Sequence, residues 1–186
     1  MLAYLVSDGE FDTPLYRSLR NTLEQYLTQK GFSVEQTTVQ KGDLASCVGC
    51  FGCWVKKPGE CVMNDGIGEI NRLSMRSDVT IYLCPVVFGQ FSANIKNVID
   101  RWLPNMLPFF MTRPDGSTMH PPRYDDYPRQ IMIGYGDALD EGDSSLFTDI
   151  NKKHRSNVEV LIFRGDTESL TRQLDGIQLE RIGGLL

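Results

Sequence analysis

Residues Val79 to Val87 read VTIYLCPVV, a nearly unbroken apolar and β-rich run. Such a strand has no face to offer water, so it belongs in the middle of a parallel sheet covered on both sides. A parallel sheet needs crossover helices between its strands, and the rest of the chain supplies them. Leu2 to Ser7 (LAYLVS) is a second short apolar strand. Thr13-Pro14 then reads as an N-cap followed by proline at the first helical position. Leu15, Leu19, Leu23 and Leu27 recur every four residues up to Lys30-Gly31, an amphipathic helix with a glycine stop.

Phe32 to Val39 alternates only in part, as an edge strand does. Gly66 to Arg76 predicts a weaker helix, and Ser92 is expected to cap a helix with Ile95, Val98, Ile99, Trp102 and Leu103 on one face. Gln130 to Tyr135 and Val158 to Phe163 are two further strands, with a polar helix from Ser144 to His154 between them. The tail holds a short helix, Glu168 to Leu174, before a frayed end. The order βαβαβαβαβ predicts an α/β fold: a doubly wound five-stranded parallel sheet in order 2-1-3-4-5, in a three-layer sandwich. Its ligand crevice lies at the C-terminal ends of strands 1 and 3.

The 186 residues are read as one domain spanning 1–186, with a Cys-rich loop at 46–64 and a Pro-rich loop at 104–128. The second loop holds six of the nine prolines and no clear period. Loops of that length are usually functional or mobile. Its Phe109, Phe110 and Met111 are a candidate flavin cap, core contact or subunit contact, and a homo-oligomer is expected. His120 reads as a surface residue, Lys96 and Asp100 as an i,i+4 pair on an exposed helix face, and Asp100-Arg101 as a structural or interface charge pair.

A formal charge of −5 argues against a nucleic-acid partner, which needs a basic face. No run approaches the roughly 18 apolar residues of a membrane span, and the start lacks the basic and apolar regions of a signal peptide. A soluble cytoplasmic protein is expected. There the five cysteines are reduced, metal-bound or redox-active rather than structural disulfides.

Four of them form Cys47-x2-Cys50-x2-Cys53-x7-Cys61. Thiolates are soft ligands, and four within fifteen residues are enough to enclose one metal centre. The three-residue spacing suits iron–sulfur ligation better than the separated pairs typical of zinc. Free thiols or one disulfide are the competing reading, with zinc a third. Cys84 reads as an inert core thiol. A second constellation, Pro85-Val86-Val87-Phe88-Gly89, leads from the central strand towards a helix. Pro85 stiffens the turn, Gly89 lets backbone approach a flat ligand, and Phe88 is placed to pack on an aromatic ring. A plain strand–helix connection would use the same residues.

CVGCFGCWVKKPGECVMND, the strand ending in PVVFG, and SANIKNVIDRW together resemble the NAD(P)H-dependent FMN reductase group of flavodoxin-like proteins, iron–sulfur flavoproteins included. The resemblance covers Met1 to about Tyr135. It implies FMN at the C-terminal ends of strands 1, 3 and 4, with Pro85, Val86, Val87, Phe88 and Gly89 against the isoalloxazine. Gly134, Tyr135, Gly136 and Asp137 would form a third flavin-contacting loop. The first three cysteine spacings match the motif of the iron–sulfur members.

The first loop departs from the family. Where a Gly-Ser-x-Arg-type phosphate loop is usual, this chain has Ser7-Asp8-Gly9-Glu10-Phe11-Asp12-Thr13-Pro14, with three acids. Phosphate binding would then rest on helix N–H groups and on the hydroxyls of Ser7 and Thr13. The implied function is an FMN oxidoreductase that takes electrons from NAD(P)H and passes them to a small acceptor. An electron carrier with a [4Fe-4S] cluster beside FMN is the alternative. A non-catalytic redox or metal sensor is a reading of another class. FMN does the chemistry in the first two, so no catalytic residue is assigned.

Overall fold

The computed structural model describes residues 1–154 and 158–183. Its elements in chain order are β1 (Leu2–Asp8), α1 (Pro14–Gln29), β2 (Ser33–Val39), α2 (Gly52–Val55), α3 (Ile67–Arg76), β3 (Val79–Val87), β4 (Gln90–Phe91) and α4 (Ala93–Asp100). Then come β5 (Met111–Thr112), β6 (Thr118–Met119), β7 (Asp126–Tyr127), β8 (Arg129–Tyr135), α5 (Glu141–His154), β9 (Val158–Phe163), α6 (Thr167–Asp175) and β10 (Ile182–Gly183). The central sheet runs β2-β1-β3-β8-β9, every neighbouring pair parallel. This is the 2-1-3-4-5 order expected from the sequence, with β8 and β9 as its fourth and fifth strands.

The period of two along each strand sorts side chains into two cores. Ala3 and Leu5 of β1, Ile81 and Leu83 of β3, and Ile131 and Ile133 of β8 face α1 and α6, where Leu19, Leu23, Leu27, Leu170 and Leu174 close the layer. Tyr4, Val6, Tyr82, Cys84 and Met132 face the other way, against Ile67 and Ile70 of α3, Ile95 and Val98 of α4, and Phe147 of α5. Each fully buried leucine or isoleucine contributes about 1.5–3 kcal/mol of hydrophobic stabilisation. Cys84 is a core thiol, bonded at 3.4 Å to the Tyr82 carbonyl. No helix among the described residues is long and apolar enough to cross a membrane.

α1 begins as its sequence dictates. Thr13 takes extended backbone and its hydroxyl accepts from the Tyr16 N–H, while Pro14 fills the first helical position, where no N–H is needed.

Two regions depart from the sequence expectation. The 104–128 segment is not a bare loop: β5 pairs antiparallel with β6, and β7 pairs with β10. Side chains hold the rest by bonding to backbone. Arg123 donates to Pro104 O and Met106 O, Trp54 Nε1 to Leu103 O and Met106 O, and the Tyr127 hydroxyl to Asn105 O. The tail is likewise pinned through residue 183. Arg181 bridges Asp126 and donates to the Met75 and Ser77 carbonyls at the end of α3.

Candidate functional site

The C-terminal ends of β1, β3 and β8 meet at one edge of the sheet, where a ligand crevice is expected. The β1 end is closed by its own side chains. Ser7 is buried, bonded at 3.1 Å to Thr38 Oγ1, and it accepts from the Tyr16 hydroxyl. Asp8 is 1% exposed and accepts from the Glu10 N–H at 2.9 Å and from Asn94 Nδ2 at 2.8 Å. One acid of the loop is thus turned inward. A second, Asp12, takes a two-pronged bond from Arg17, at 2.9 and 2.7 Å, which holds its carboxyl below the ordinary carboxylate range. In the first turn of α1, Tyr16 N–H bonds Thr13 Oγ1 and Arg17 N–H bonds Thr13 O. Pro14 has no donor, so the Leu15 N–H is left for an anion.

At the β3 end the expected strand-to-helix turn is a hairpin. Val86 pairs with Phe91 and Val87 with Gln90, leaving Phe88 and Gly89 as a two-residue loop. Both have positive φ, 50° and 70°. That is the backbone demanded by the tight hairpin turn in which asparagine and glycine are favoured. Gly89 meets the demand, and a Cβ there would also run into Leu146 at 2.5 Å. Phe88 does not: a bulky L-residue in the left-handed region costs about 1–2 kcal/mol. It recovers nothing by packing, since it is 88% exposed. Strain spent on an exposed aromatic ring is the pattern of a ligand-contacting position. Pro85 and Val86 lie in β3 beneath this turn. Ser92 starts α4 with extended backbone but does not cap it with its side chain; its hydroxyl is buried and unpartnered.

At the β8 end Gly134 lies within the sheet, opposite Cys84. A Cβ on it would press on the Phe147 ring at 2.9 Å and on Val86 Cγ2 at 3.0 Å, so its lack of a side chain lets α5 pack. Tyr135 is 2% exposed, 5.9 Å from the Tyr16 ring, and its hydroxyl has no partner. Burial, with Tyr16 nearby, pushes that phenol far above its ordinary value. Gly136 is half-buried and Asp137 exposed. Two orphaned hydroxyls, Ser92 and Tyr135, therefore flank an edge with an uncovered aromatic ring. Buried polar groups are ordinarily satisfied, so this edge suits a flat ligand with polar rim atoms. FMN fits it on the ring side. On the phosphate side, donors are few.

The cysteine loop packs beside α3 and the end of α4. Cys47 and Cys50 are exposed, Cys53 and Cys61 half-buried, and all four thiols are free. Burial pushes the Cys53 thiol up, and the charges of Cys61, Cys47 and Cys50 add to the rise, so the four lie within electrostatic reach of one another. Among the described residues no three His, Cys, Asp or Glu side chains gather closely enough to hold a metal ion. The donor chemistry suits a soft-metal centre, although the thiols stand apart rather than converging on one point.

Asp100 pairs with Lys96, as their i,i+4 spacing on an exposed face predicts, and not with Arg101, which turns inward to Asp65 and Cys61. His120 is no bare surface residue: its ring lies between Trp54 and Phe110, 4.8 Å from each, with Nδ1 2.9 Å from Phe109 O. Phe109 and Phe110 stay exposed, so they are not core.

The family model for NADPH-dependent FMN reductase matches residues 16–110, half the chain. The chain belongs to that family. An iron-sulfur flavoprotein of Archaeoglobus fulgidus is 38% identical over 78 residues, which cover 42% of this chain and 34% of that protein. One of Methanocaldococcus jannaschii is 31% identical over 83 residues, covering 45% and 42%. The matches thus span well under half of these relatives' own lengths. Among solved structures, an NAD(P)H:quinone oxidoreductase from Methanothermobacter marburgensis superposes with a TM-score of 0.67 at 12% identity, over 94% of each chain. An azoreductase from Bacillus anthracis gives 0.55 at 11% identity, over 94% and 92%. At such identities the likeness establishes the flavodoxin-like fold alone. The family match ends near Phe110, so it includes the hairpin of Phe88 and the cysteine loop and stops short of the β8 edge.

Proposed function

We propose that this chain is an FMN-dependent oxidoreductase that draws electrons from NAD(P)H and delivers them to a small acceptor such as a quinone. The strained, uncovered Phe88 carries the reading: its ring would lie against the isoalloxazine, supported by backbone from Pro85, Val86, Val87 and Gly89. Bound FMN supplies hydride acceptance and stepwise electron release. The unpartnered Ser92 and Tyr135 hydroxyls would bond its polar atoms, and Gly136 and Asp137 would border it. The first turn of α1, with Thr13 and Ser7 behind it, would receive the phosphate. Exposed Phe109 and Phe110 are taken as the contact of a homo-oligomer, which sedimentation tests. Titrating the purified protein with FMN tests the main reading. Quenched flavin fluorescence at one FMN per chain is expected; a protein that takes up no FMN overturns it.

The second reading adds a [4Fe-4S] centre on Cys47, Cys50, Cys53 and Cys61. Four unbridged thiols on one loop favour it, as does the likeness to two iron-sulfur flavoproteins. Anaerobic reconstitution followed by iron and sulfide analysis decides it: four of each per chain support it, none removes it.

A further inference from the structure

Arg101 follows α4 and is 1% exposed. Its Nη1 donates to Ala45 O at 2.9 Å and to the Asp65 carboxylate, and its Nη2 donates to Cys61 Sγ at 3.1 Å. Asp65 in turn accepts from the Ala45 N–H at 3.1 Å and from the Ile67 N–H at 3.2 Å. The Arg101 backbone is held as well, since Asn71 Nδ2 donates to its carbonyl at 3.1 Å.

Ala45 stands just before the first cysteine of the loop and Asp65 just after the last. A single ion pair therefore closes both ends of the cysteine loop, and the same guanidinium reaches one of the four thiols. The placement follows from the helix: Asn94, Val98 and Arg101 recur at spacings of four and three, so position 101 falls on the buried stripe of α4. The planar guanidinium holds its donors in a rigid, wide fork, so one nitrogen meets Ala45 O and Asp65 while the other reaches Cys61; an ammonium concentrates its three donors on one atom at the end of a flexible stem.

Metals are bound by thiolates, and several thiolates in one place concentrate negative charge that a part-buried site tolerates only beside a cation. We propose that Arg101 is the positioning residue of the cysteine-loop metal centre. With Asp65 it clamps the loop, fixes Cys61 as the ligand around which Cys47, Cys50 and Cys53 close, and offsets the charge of the assembled thiolates. The proposal rests on the second reading above. It assigns no chemistry to Arg101 itself.

The test reconstitutes FMN-loaded full-length protein with iron and sulfide under argon and compares the wild type with Arg101→Lys and with the double variant Arg101→Gln/Asp65→Asn. The double variant removes both charges, so neither is left buried alone. Arg101→Lys keeps a cation for Asp65 and carries the test if the double variant does not fold. Iron per chain, FMN per chain, circular dichroism and the midpoint potential of the cluster are read. Arg101→Lys should lose iron several-fold faster to a chelator and reduce at a potential between those of the wild type and the double variant, because its ammonium keeps the charge beside Asp65 but withdraws it from Cys61. The double variant should retain less iron, and what remains should reduce at a lower potential, because a cation that favours the more negative reduced state is gone. A purely structural role would not move the potential. Folded, FMN-loaded variants with wild-type iron retention and potential overturn the proposal. A wild type that binds no iron brings down the metal reading itself, and this clamp with it, and that failure is visible without any variant.

Discussion

The Asn94 carboxamide reaches across the sheet edge and donates to Asp8 Oδ1 at 2.8 Å, tying the end of β1 to the first turn of α4. Asp8 is almost wholly buried and has the Glu10 N–H as its other donor. Removing one donor from a buried carboxylate leaves desolvation uncompensated, at a cost of about 1–3 kcal/mol. Asn94→Ala should lower stability by that amount in urea unfolding with an unchanged slope. Asn94→Asp, which sets a second carboxylate against the first, should cost more. A loss under about 0.5 kcal/mol, the range of ordinary surface changes, would show that water replaces the bond.

Phe88 offers a separation of stability from binding. Asparagine tolerates positive φ, and Asn-Gly is the favoured pair for this hairpin loop. Phe88→Asn should therefore raise stability slightly, within about 1 kcal/mol, since the phenyl ring buries almost nothing. The same change should weaken FMN binding, measured by fluorescence titration. Tighter folding with unchanged FMN affinity would remove the ring from the flavin site.

Asp12 and Arg17 are both more than half exposed and clasp each other beside the expected phosphate position. The pair adds little to stability. Its consequence is that the nearest guanidinium is already engaged by a carboxylate. Asp12→Asn releases Arg17 and removes one repelling charge, so FMN affinity should rise several-fold at low salt. The gain should shrink as ionic strength rises and the charges are screened. Riboflavin, which lacks the phosphate, should bind the variant and the wild type alike.

The sheet is legible in the sequence because its signals are local. Mostly apolar runs, broken by Thr80 in β3 and by Glu159 in β9, mark both strands residue for residue, and Thr13-Pro14 marks the start of α1. What stays hidden is held by contacts distant in sequence. Residues 104–128 carry no period because Arg123, Tyr127 and Trp54 order them through backbone carbonyls, and such bonds leave no repeat to read. Phe88 gives away its neighbourhood but not its strain, since a hairpin and a strand–helix turn use the same proline and glycine. Arg101 reads as a partner of Asp100 only while its place on the α4 stripe goes uncounted: a charge at a buried position needs a buried partner. Asp65, far off in sequence, is that partner.

The junction of α1 and α6 makes stability depend on pH at both extremes. The Tyr26 hydroxyl donates to Asp175 Oδ1 at 3.1 Å, Lys30 Nζ lies 2.8 Å from the same oxygen, and that ammonium sits 5.3 Å from the centre of the Tyr26 ring. Burial, then the bond to Asp175, pushes Tyr26 up to about 12. Lys30 and Tyr26 hold the Asp175 carboxyl below its ordinary value. A raised tyrosine favours the protonated, folded form, so its contribution is complete below the unfolded value of roughly 10 and disappears as pH climbs through 12. A lowered aspartate works in the opposite sense: its contribution is complete above the unfolded value of roughly 3.9 and is lost as pH falls through the folded one. Between about pH 5 and 9 neither group titrates, and this junction should add no slope to stability there. Urea unfolding across pH should show an alkaline decline beginning near pH 10 that Tyr26→Phe flattens. Asp175→Asn should reduce the acid decline and also part of the alkaline one, because it removes the carboxylate that helps hold the Tyr26 proton. An alkaline limb identical in wild type and Tyr26→Phe would mean that other buried phenols, Tyr4 and Tyr135 first among them, govern that side.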